Sequence, residues 1–525
     1  MNQTEAVVAQ VNDLQDGQMQ LASVGETKVL LAKVGGNFYA VGAFCTHYQA
    51  PLTNGALRGD RVICPWHNAC FNVVTGDQEN PPGLDSLARY DVRIDGEDVI
   101  VRVPTQTTGR RTLPMAQHNP DADGRTFVIL GAGAAGTHAA EALRQEGFEG
   151  RVVMVTKEDK LPYDRTWLSK DYFTGKVEKE DLPLRSPEFY QRHDIEVLLN
   201  QTVLRVEVAN KKIFLSDGEL SYDAVLVATG GKVNQLPMDG QELQNVFTLR
   251  SFADTEKILA AAQSAKQAVV VGSSFIGMET AAGLTKHGVK VTVVSPESVP
   301  FEPILGAEIG KLFQEIHEEN GVSFQLGRKA SGFVGEQHVE AVLLDNDERL
   351  EADLVVVGIG VKPATEFLEG IELQEDQSIK VDKSLCAADG LYAAGDIATY
   401  PTHTGEPTRI EHWRVAAAQG RVAAANMTGL TVEYQDVPIF WTMQFKFPLR
   451  YVGHADEWDA VIVDGKLEER QFIAYYIKSD RVVAAASSKR DTETAAIYEL
   501  MRLQQMPIPA ELRQGSVDLV ARLQA

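Results

Sequence analysis

Short apolar runs separated by turn residues characterise the first 104 positions of the chain. Four of these runs have the length and composition of β-strands, and the turns between them are rich in glycine and aspartate: Lys28–Val34, Asn37–Val41, Arg61–Cys64 and Val99–Val103. We therefore predict a small all-β module over residues 1–104. The following residues, 105–124, are polar and show no periodicity, which predicts a linker.

From Arg125 onward, apolar strand-like runs alternate with helical stretches, a pattern typical of parallel sheets with crossover helices. Two such units begin at Thr126–Leu130 and Ala268–Val271, and together they predict two nucleotide-binding folds. Beyond Val437 the chain becomes strand-rich again and then helical, which predicts an α+β C-terminal domain with these elements: strands Gln471–Lys478 and Arg481–Ala486, helical segments Thr492–Leu503 and Ile508–Leu523.

Two cysteine–histidine pairs lie within the all-β module, Cys45 with His47 and Cys64 with His67. A Rieske [2Fe–2S] centre needs this donor set, with two cysteines on one iron and two histidines on the other. Structural zinc sites more often pair cysteine with cysteine and histidine with histidine, so zinc is the weaker alternative. The quartet predicts a centre that moves single electrons.

Composition narrows the setting of this chemistry. The 525 residues are too many for one hydrophobic core, and the net charge of −23 disfavours nucleic acid or anionic lipid as partners. The chain has four cysteines, and two belong to the predicted cluster, so no disulphide framework is expected and a reducing, cytoplasmic setting fits. We interpret Cys70 and Cys386 as buried structural thiols. Neither a signal peptide nor a membrane span is expected.

The first nucleotide-binding unit carries a complete glycine-rich motif, Gly131-Ala-Gly133-Ala-Ala135-Gly136, between a strand and an amphipathic stretch. Its glycines permit a tight turn, close approach of a pyrophosphate and close helix–strand packing. An acidic residue at the end of the second strand normally binds the adenine ribose, and Glu158 is the candidate for this role.

The second unit, Gly272-Ser273-Ser274-Phe275-Ile276-Gly277, has serine in place of the middle glycine. The acid expected after its second strand is replaced by Ser295, and no basic residue lies nearby to bind a 2′-phosphate. NADH against NADPH is therefore undecided from these residues, with a slight preference for NADH. The alternative interpretation is a strand–helix turn that binds no cofactor.

Several further motifs resemble the flavin-dependent ferredoxin reductases, a group that includes oxygenase-coupled reductases and apoptosis-inducing factor. They are Leu161-Pro-Tyr-Asp-Arg165, Leu168-Ser-Lys170, Ala228-Thr229-Gly230, Gly358-Ile-Gly360 and Leu391-Tyr-Ala-Ala-Gly395-Asp396. The order of domains, together with Cys64-Pro-Trp-His-Asn-Ala-Cys and Pro82-Gly-Leu-Asp-Ser, resembles apoptosis-inducing-factor-like proteins with an N-terminal Rieske domain. The resemblance implies a Rieske domain at 1–104, FAD-binding segments at 125–243 and 363–436, an NAD(P)-binding domain at 244–362 and a C-terminal domain at 437–525.

The same resemblance assigns roles to individual residues. Lys170 and Glu279 would form an ion pair beside the flavin N5, where hydride arrives. The other implied FAD or nicotinamide contacts are Arg165, Val203, Arg250, Asp396, His412, Trp413 and Trp441. High-potential Rieske proteins carry two additional cysteines at positions occupied here by Ala50 and Trp66, so the resemblance is to low-potential clusters. Asn68 replaces the usual glycine, and asparagine tolerates the left-handed backbone.

These features predict an NAD(P)H-dependent reductase in which FAD passes electrons to the fused [2Fe–2S] cluster and then to an unidentified acceptor. Disulphide-reductase relatives pass electrons to a cysteine pair near the flavin, and this chain has none. A slow redox sensor related to apoptosis-inducing factor is the alternative. A nitrite-reductase-type enzyme would need four further cysteines, and a Rieske oxygenase would need a mononuclear-iron domain. The assembly state, including a homodimer, stays open, as does docking of the Rieske module in cis or in trans.

Overall fold

A computed structural model of the chain describes residues 3–402, 405–515 and 517–524. The N-terminal module contains a six-stranded antiparallel sheet and a four-stranded sheet that carries the ligand loops. In spatial order the larger sheet runs Gln3–Gln10, Asp98–Pro104, Arg89–Asp95, Asn37–Gly42, Thr27–Val34 and Met19–Val24. The smaller sheet runs Ala56–Arg58, Arg61–Ile63, Cys70–Asn72 and Gln78–Asn80, with a short helix at Leu52–Asn54.

The predicted linker follows the surface of this module before it enters the reductase. Its strand Arg110–Arg111 pairs with Ser86–Leu87, and the Ala88 amide donates to the carbonyl of Gly109. The pairing shortens the free length of the connection and ties it to the second half of the module.

A six-stranded sheet forms the centre of the first nucleotide-binding domain. Five strands are parallel and one edge strand is antiparallel, in the order Ile195–Leu198, Arg151–Val155, Thr126–Leu130, Ala224–Val227, Leu391–Ala393 and Cys386–Ala388. Helices Ala134–Gln145 and Trp413–Thr428 pack against each other so closely that a Cβ on Gly420 would lie 2.1 Å from the Ala135 carbonyl oxygen. Further elements of this domain are Arg165–Ser169, Lys179–Asp181, Pro187–Arg192, Val203–Glu207, Lys212–Leu215, Glu219–Ser221, Gly231–Val233, Val361–Pro363, Leu368–Glu369, Ile379–Lys380, Ala398–Pro401 and Pro407–Thr408.

The second nucleotide-binding domain has a five-stranded parallel sheet in the order Val246–Thr248, Leu354–Val357, Gln267–Val271, Lys290–Ser295 and Ser323–Leu326. Helix Phe275–Lys286 follows the central strand, as in the first domain. The remaining elements are helices Phe252–Ala262 and Glu302–Glu319 and the three-stranded sheet Ala330–Val334, Ala341–Leu344 and Arg349–Glu351. Two sheets with a parallel centre, each with a helix that follows a central strand, confirm the prediction of two Rossmann-like folds.

The C-terminal domain is a five-stranded antiparallel sheet covered by helices, as predicted. Its strands run Ile439–Gln444, Phe447–Gly453, Arg481–Ser488, Gln471–Lys478 and Ala460–Lys466. The helices are Asp491–Arg502, Pro509–Gln514 and Leu519–Gln524, so the predicted continuous segment Ile508–Leu523 is divided. Gly515, with φ of +141°, ends the first of these two short helices.

One hydrophobic core joins the N-terminal module to the C-terminal domain. Ile63 and Cys70 of the module are buried against Tyr475, Tyr498 and their neighbours. Cys70 is fully buried there, as predicted, whereas Cys386 is only half-buried on an edge strand. None of the helices in the described part of the chain has the length and apolar character needed to cross a membrane.

Candidate redox site

The two ligand loops place their cysteines and histidines as separate pairs. Nδ1 of His47 lies 3.0 Å from Nδ1 of His67, and the thiols of Cys45 and Cys64 are in hydrogen-bond contact. Each loop is closed by a backbone bond at its cysteine, from Cys45 to the Ala50 carbonyl and from Cys64 to the Ala69 carbonyl. Both cysteines are about 1% exposed, so the pair is shielded from solvent.

This arrangement fits a two-iron cluster better than a single ion. The two histidines pair with each other and the two cysteines form a second pair, whereas a tetrahedral zinc needs four donors around one point. Two donors at each end are what a [2Fe–2S] centre requires. Burial, followed by the charges of His47 and Arg450, holds the pKa of His67 well below its usual range, so the ring is the neutral ligand that metals bind.

The backbone of the second loop explains why asparagine is accepted at position 68. Asn68 has φ of +52°, in the left-handed region that favours glycine and that asparagine adopts more readily than most residues. The loop therefore keeps the conformation expected of a glycine at this position.

The first glycine-rich loop has the open space that a pyrophosphate needs. A Cβ on Gly133, the N-cap of helix Ala134–Gln145, would meet only Arg165 Nε at 3.9 Å. By contrast, Cβ atoms on Gly131 and Gly136 would lie 2.2 Å and 1.9 Å from backbone oxygens. The middle glycine thus faces a cradle, and the flanking two permit tight chain packing, which fits a dinucleotide.

Around this cradle lie most of the other predicted FAD contacts. Glu158 accepts hydrogen bonds from Arg165 and from Tyr163 Oη, and Arg250 pairs with Asp396 at 2.7 Å. The segment Ala228-Thr229-Gly230 follows the strand beside the first glycine, and Gly395 lies at the helix–helix contact. Val203 begins a strand of the neighbouring sheet, and its side chain packs against the hydrophobic core of the domain. It is therefore not among the residues that directly surround the cradle.

The predicted catalytic pair is formed. Lys170 Nζ lies 3.0 Å from Glu279 Oε2, and the carboxylate is also bonded by Ser169 Oγ and, at 2.6 Å, by Thr442 Oγ1. The Glu279 side chain is 2% exposed, against 18% for Lys170, so the lysine alone reaches toward open space.

His412 and Trp413 lie at the start of helix Trp413–Thr428. Burial lowers the pKa of His412 to about 3, which keeps its ring neutral. Its Nδ1 atom is buried and has no hydrogen-bond partner among the described residues. An unpartnered polar atom beside the predicted flavin position fits a site that is completed by a bound cofactor.

In the second glycine-rich loop, the backbone packs closely around the first and last glycines, whereas the middle of the loop carries serine. Cβ atoms on Gly272 and Gly277 would lie 2.4 Å and 2.3 Å from backbone oxygens, while Ser274 Oγ donates to the Gly358 carbonyl at 2.9 Å. The remaining predicted contacts lie around it: Phe275 stacks on Phe301, Ile276 is exposed, and Gly360 has φ of +86°.

An acidic side chain lies beside Ser295, at the end of the second strand, where the sequence has serine in place of the expected acid. Glu297 Oε2 accepts a hydrogen bond from Ser295 Oγ, which lies 2.7 Å from Ser273 Oγ in the glycine-rich loop. Glu297 was missed because it lies two residues beyond the strand position that usually carries the acid.

Trp441 connects the two halves of the site. Its ring lies 4.1 Å from that of His67 and 6.0 Å from that of His47, measured between centroids. The next residue, Thr442, bonds Glu279 on the opposite face of the strand, because successive side chains of a strand alternate. One strand therefore contacts both the predicted ligands and the predicted catalytic pair.

The first ligand loop contacts the reductase directly through Tyr48, a residue that sequence analysis did not select. Tyr48 Oη donates to Asp164 Oδ2 at 2.8 Å, and the same carboxylate oxygen lies 3.8 Å from His47 Nε2. A cavity of about 240 Å³ opens beside this contact and is lined by His47, Trp167 and Trp413, among others. In this chain the all-β module thus lies against its own reductase.

Comparison with known proteins agrees with this architecture. Family models match residues 4–91 as a Rieske [2Fe–2S] domain, residues 125–420 as a pyridine nucleotide-disulphide oxidoreductase and residues 439–523 as a reductase C-terminal domain. The chain belongs to the pyridine nucleotide-disulphide oxidoreductase family. The matches confirm the resemblance inferred from the motifs.

Two relatives and one solved structure show where the chain lies within the pyridine nucleotide-disulphide oxidoreductases. Apoptosis-inducing factor 3 of Mus musculus is 42% identical over 510 residues, which cover 95% of this chain and 84% of the relative. Putidaredoxin reductase of Pseudomonas putida is 32% identical over 70% of this chain and 89% of its own length. A crystal structure of the covalent putidaredoxin reductase–putidaredoxin complex matches with a TM-score of 0.72 and 31% identity, covering 76% of this chain and 98% of that one.

The function follows from these matches together with the fused domain. The protein is an NAD(P)H-dependent FAD oxidoreductase of the ferredoxin-reductase type, and it carries its own Rieske [2Fe–2S] cluster. The similar solved structure is a covalent complex of putidaredoxin reductase with putidaredoxin, and a further relative is the ferredoxin–NAD(+) reductase subunit of a benzene 1,2-dioxygenase system of Pseudomonas putida.

Proposed function

We propose that the chain passes electrons from NADH through FAD to its own cluster, and that the fused module takes the role of the separate ferredoxin served by relatives. The cluster would be held by Cys45, His47, Cys64 and His67, and the electrons would leave it for an external one-electron acceptor. FAD accepts hydride and releases electrons singly, and the cluster carries them one at a time. The contact of strand Ile439–Gln444 with both halves of the site is the observation that carries this proposal.

The protein's own residues would position the bound FAD and stabilise the negative charge of its reduced ring. Lys170 would present its ammonium to the ring system that becomes negative on reduction, and Glu279 would hold that lysine in place. Ser169 and Thr442 fix the carboxylate, so the pair has little freedom to rotate away. Neutral His412 would offer its unpartnered Nδ1 to the bound cofactor.

Reduction of both centres by NADH tests the proposal. Anaerobic NADH should bleach the flavin and cluster absorbance of the wild-type protein and produce the EPR signal of a reduced Rieske centre. His47→Ala should still allow flavin reduction but lose transfer to a one-electron acceptor. Unchanged transfer in that variant, or a wild-type protein that reduces its flavin and then turns over only slowly, would contradict the electron-relay role.

Preference for NADH is the second part of the proposal, and it rests on Glu297. A carboxylate held at the end of strand Lys290–Ser295 accepts hydrogen bonds from a ribose 2′-hydroxyl and repels a 2′-phosphate. Glu297→Gln should therefore raise KM for NADH and lower KM for NADPH, which narrows the ratio of the two kcat/KM values by about tenfold. Glu308→Gln, a substitution of an exposed side chain on the following helix Glu302–Glu319, is the control. An unchanged ratio in Glu297→Gln would contradict the assignment.

A cytoplasmic setting also belongs to the proposal. All four cysteines are free in the structure, and two of them must stay reduced to serve as cluster ligands.

A further inference from the structure

Two buried arginines bond the main chain on either side of His67. Arg450, on strand Phe447–Gly453, donates from Nε to the Trp66 carbonyl at 2.8 Å. Arg414, in the first turn of helix Trp413–Thr428, donates to the Asn68 carbonyl at 3.2 Å. The second ligand loop is thus held by the C-terminal domain on one side and by the flavin domain on the other.

The two arginines differ in how their charges are compensated. Arg414 is fully buried and pairs with the carboxylate of Asp436, at 2.7 Å. It also donates to the hydroxyl of Tyr498, at 2.8 Å, and to the carbonyls of Pro81 and Val437. Arg450 is 7% exposed, but its carboxylate partner Asp491 is about one-third exposed and is therefore better hydrated. A buried charge is poorly screened, so Arg450 acts on its surroundings more strongly than a surface arginine would.

The surroundings of Arg450 include a predicted ligand of each type. The Trp66 carbonyl that Arg450 bonds belongs to the peptide unit shared with His67, and Trp66 lies two residues after Cys64. The guanidinium therefore produces a positive potential at the end of the loop that holds Cys64 and His67.

We propose that Arg450 and Arg414 form an arginine clamp that fixes the second ligand loop on the reductase, and that the charge of Arg450 raises the reduction potential of the cluster. A nearby fixed cation stabilises the more negative, reduced state of a redox centre. The potential is then a property of the docked molecule rather than of the all-β module alone. This inference rests on the proposed cluster site.

Two substitutions with opposite expected signs test the clamp in the full-length holoprotein. Arg450→Gln removes the cation and should lower the cluster midpoint potential, measured by a redox titration followed by EPR. Asp491→Asn removes the compensating carboxylate, leaves Arg450 in place and should raise the potential. General loosening of the fold would shift both variants in the same direction, so opposite shifts identify the charge as the cause.

Arg421→Gln is the matched control. Arg421 crosses the same domain boundary but bonds Gln78 rather than the main chain of the second ligand loop. Its substitution should leave the potential unchanged. For the fixing role, Arg414→Lys should speed amide hydrogen exchange in residues 64–70, because an ammonium cannot reproduce the fork of a guanidinium.

The outcomes separate this inference from the proposed function. A wild-type protein without a Rieske EPR signal would overturn the cluster assignment itself. If the wild-type protein gives the Rieske EPR signal, two results would overturn the charge role of Arg450 but not the cluster assignment. One is an unchanged cluster potential in both Arg450→Gln and Asp491→Asn. The other is a potential shift in Arg421→Gln as large as the shift in Arg450→Gln. Unchanged hydrogen exchange in Arg414→Lys would overturn the fixing role.

Discussion

At the scale of single residues, the Lys170–Glu279 pair shows how a charge can be held inside the protein and still face a cofactor. The glutamate is bonded through both carboxylate oxygens and is almost completely buried, while the lysine keeps part of its surface open. A buried carboxylate whose oxygens all accept hydrogen bonds is held in a fixed position, because any movement would leave a buried charge without partners. Glu279 therefore supports Lys170, and the lysine acts toward the cofactor.

Removal of Lys170 should lower both the free energy of unfolding and the rate of flavin reduction, and a second substitution should restore only the first. Lys170→Met leaves the Glu279 carboxylate buried without its cation, and we expect the free energy of unfolding to fall by about 3 kcal/mol. The double variant Lys170→Met with Glu279→Gln should recover most of that stability in chemical denaturation, because no unpaired charge remains. Flavin reduction by NADH, measured by stopped flow, should stay slow in both. Recovery of the rate in the double variant would show that Lys170 has only a structural role.

At the scale of elements, two glycines of the first glycine-rich loop have different roles: Gly136 allows the helix to pack on the strand, and Gly133 leaves space for the ligand. Gly136 brings helix Ala134–Gln145 against strand Thr126–Leu130, since a Cβ there would overlap the Gly131 carbonyl. Gly133 touches no backbone and leaves space in front of the helix N-terminus. The first task concerns folding, and the second concerns the ligand.

Alanine at these two positions should therefore give different defects. Gly133→Ala should fold with nearly wild-type stability but bind FAD about tenfold more weakly, because its methyl group occupies the cradle of the pyrophosphate. Gly136→Ala should lower the melting temperature of the apoprotein, since the strand and helix must separate. FAD content after dialysis and calorimetry of the apoprotein measure the two effects. Equal loss of stability in both variants would contradict the division.

The elements could be predicted from the sequence because their motifs are local. The glycine-rich loops, the ligand pairs and the strand periodicity each lie within short stretches of chain. The contacts between domains have no local motif: Arg450 and Trp66 are 384 residues apart, and Tyr48 and Asp164 are 116 apart. Helix Trp413–Thr428 is rich in alanine, and nothing in its local sequence indicates that Arg414 is buried or which residues it contacts.

At the scale of the whole molecule, the Rieske module is built into the reductase rather than attached to it. It shares a hydrophobic core with the C-terminal domain through Ile63 and Cys70. Burial raises the pKa of the Cys70 thiol to about 12, so this cysteine acts as a small apolar side chain at the boundary. A shared core, arginine contacts and a linker strand paired with the module all favour one fixed arrangement over a shuttling domain.

Fixed docking predicts that flavin and cluster must belong to the same chain. His47→Ala should keep FAD but lack the cluster, and Gly133→Ala should keep the cluster but lose FAD at low cofactor concentration. Mixing the two variants under native conditions that allow exchange of subunits should give no more reduction of a one-electron acceptor than the sum of the separate proteins. If the module docked on a neighbouring chain, mixed dimers would combine one intact flavin with one intact cluster, and activity would return. Dilution of the wild-type protein adds an independent measurement, because transfer within one chain is first order and its rate should not change with protein concentration.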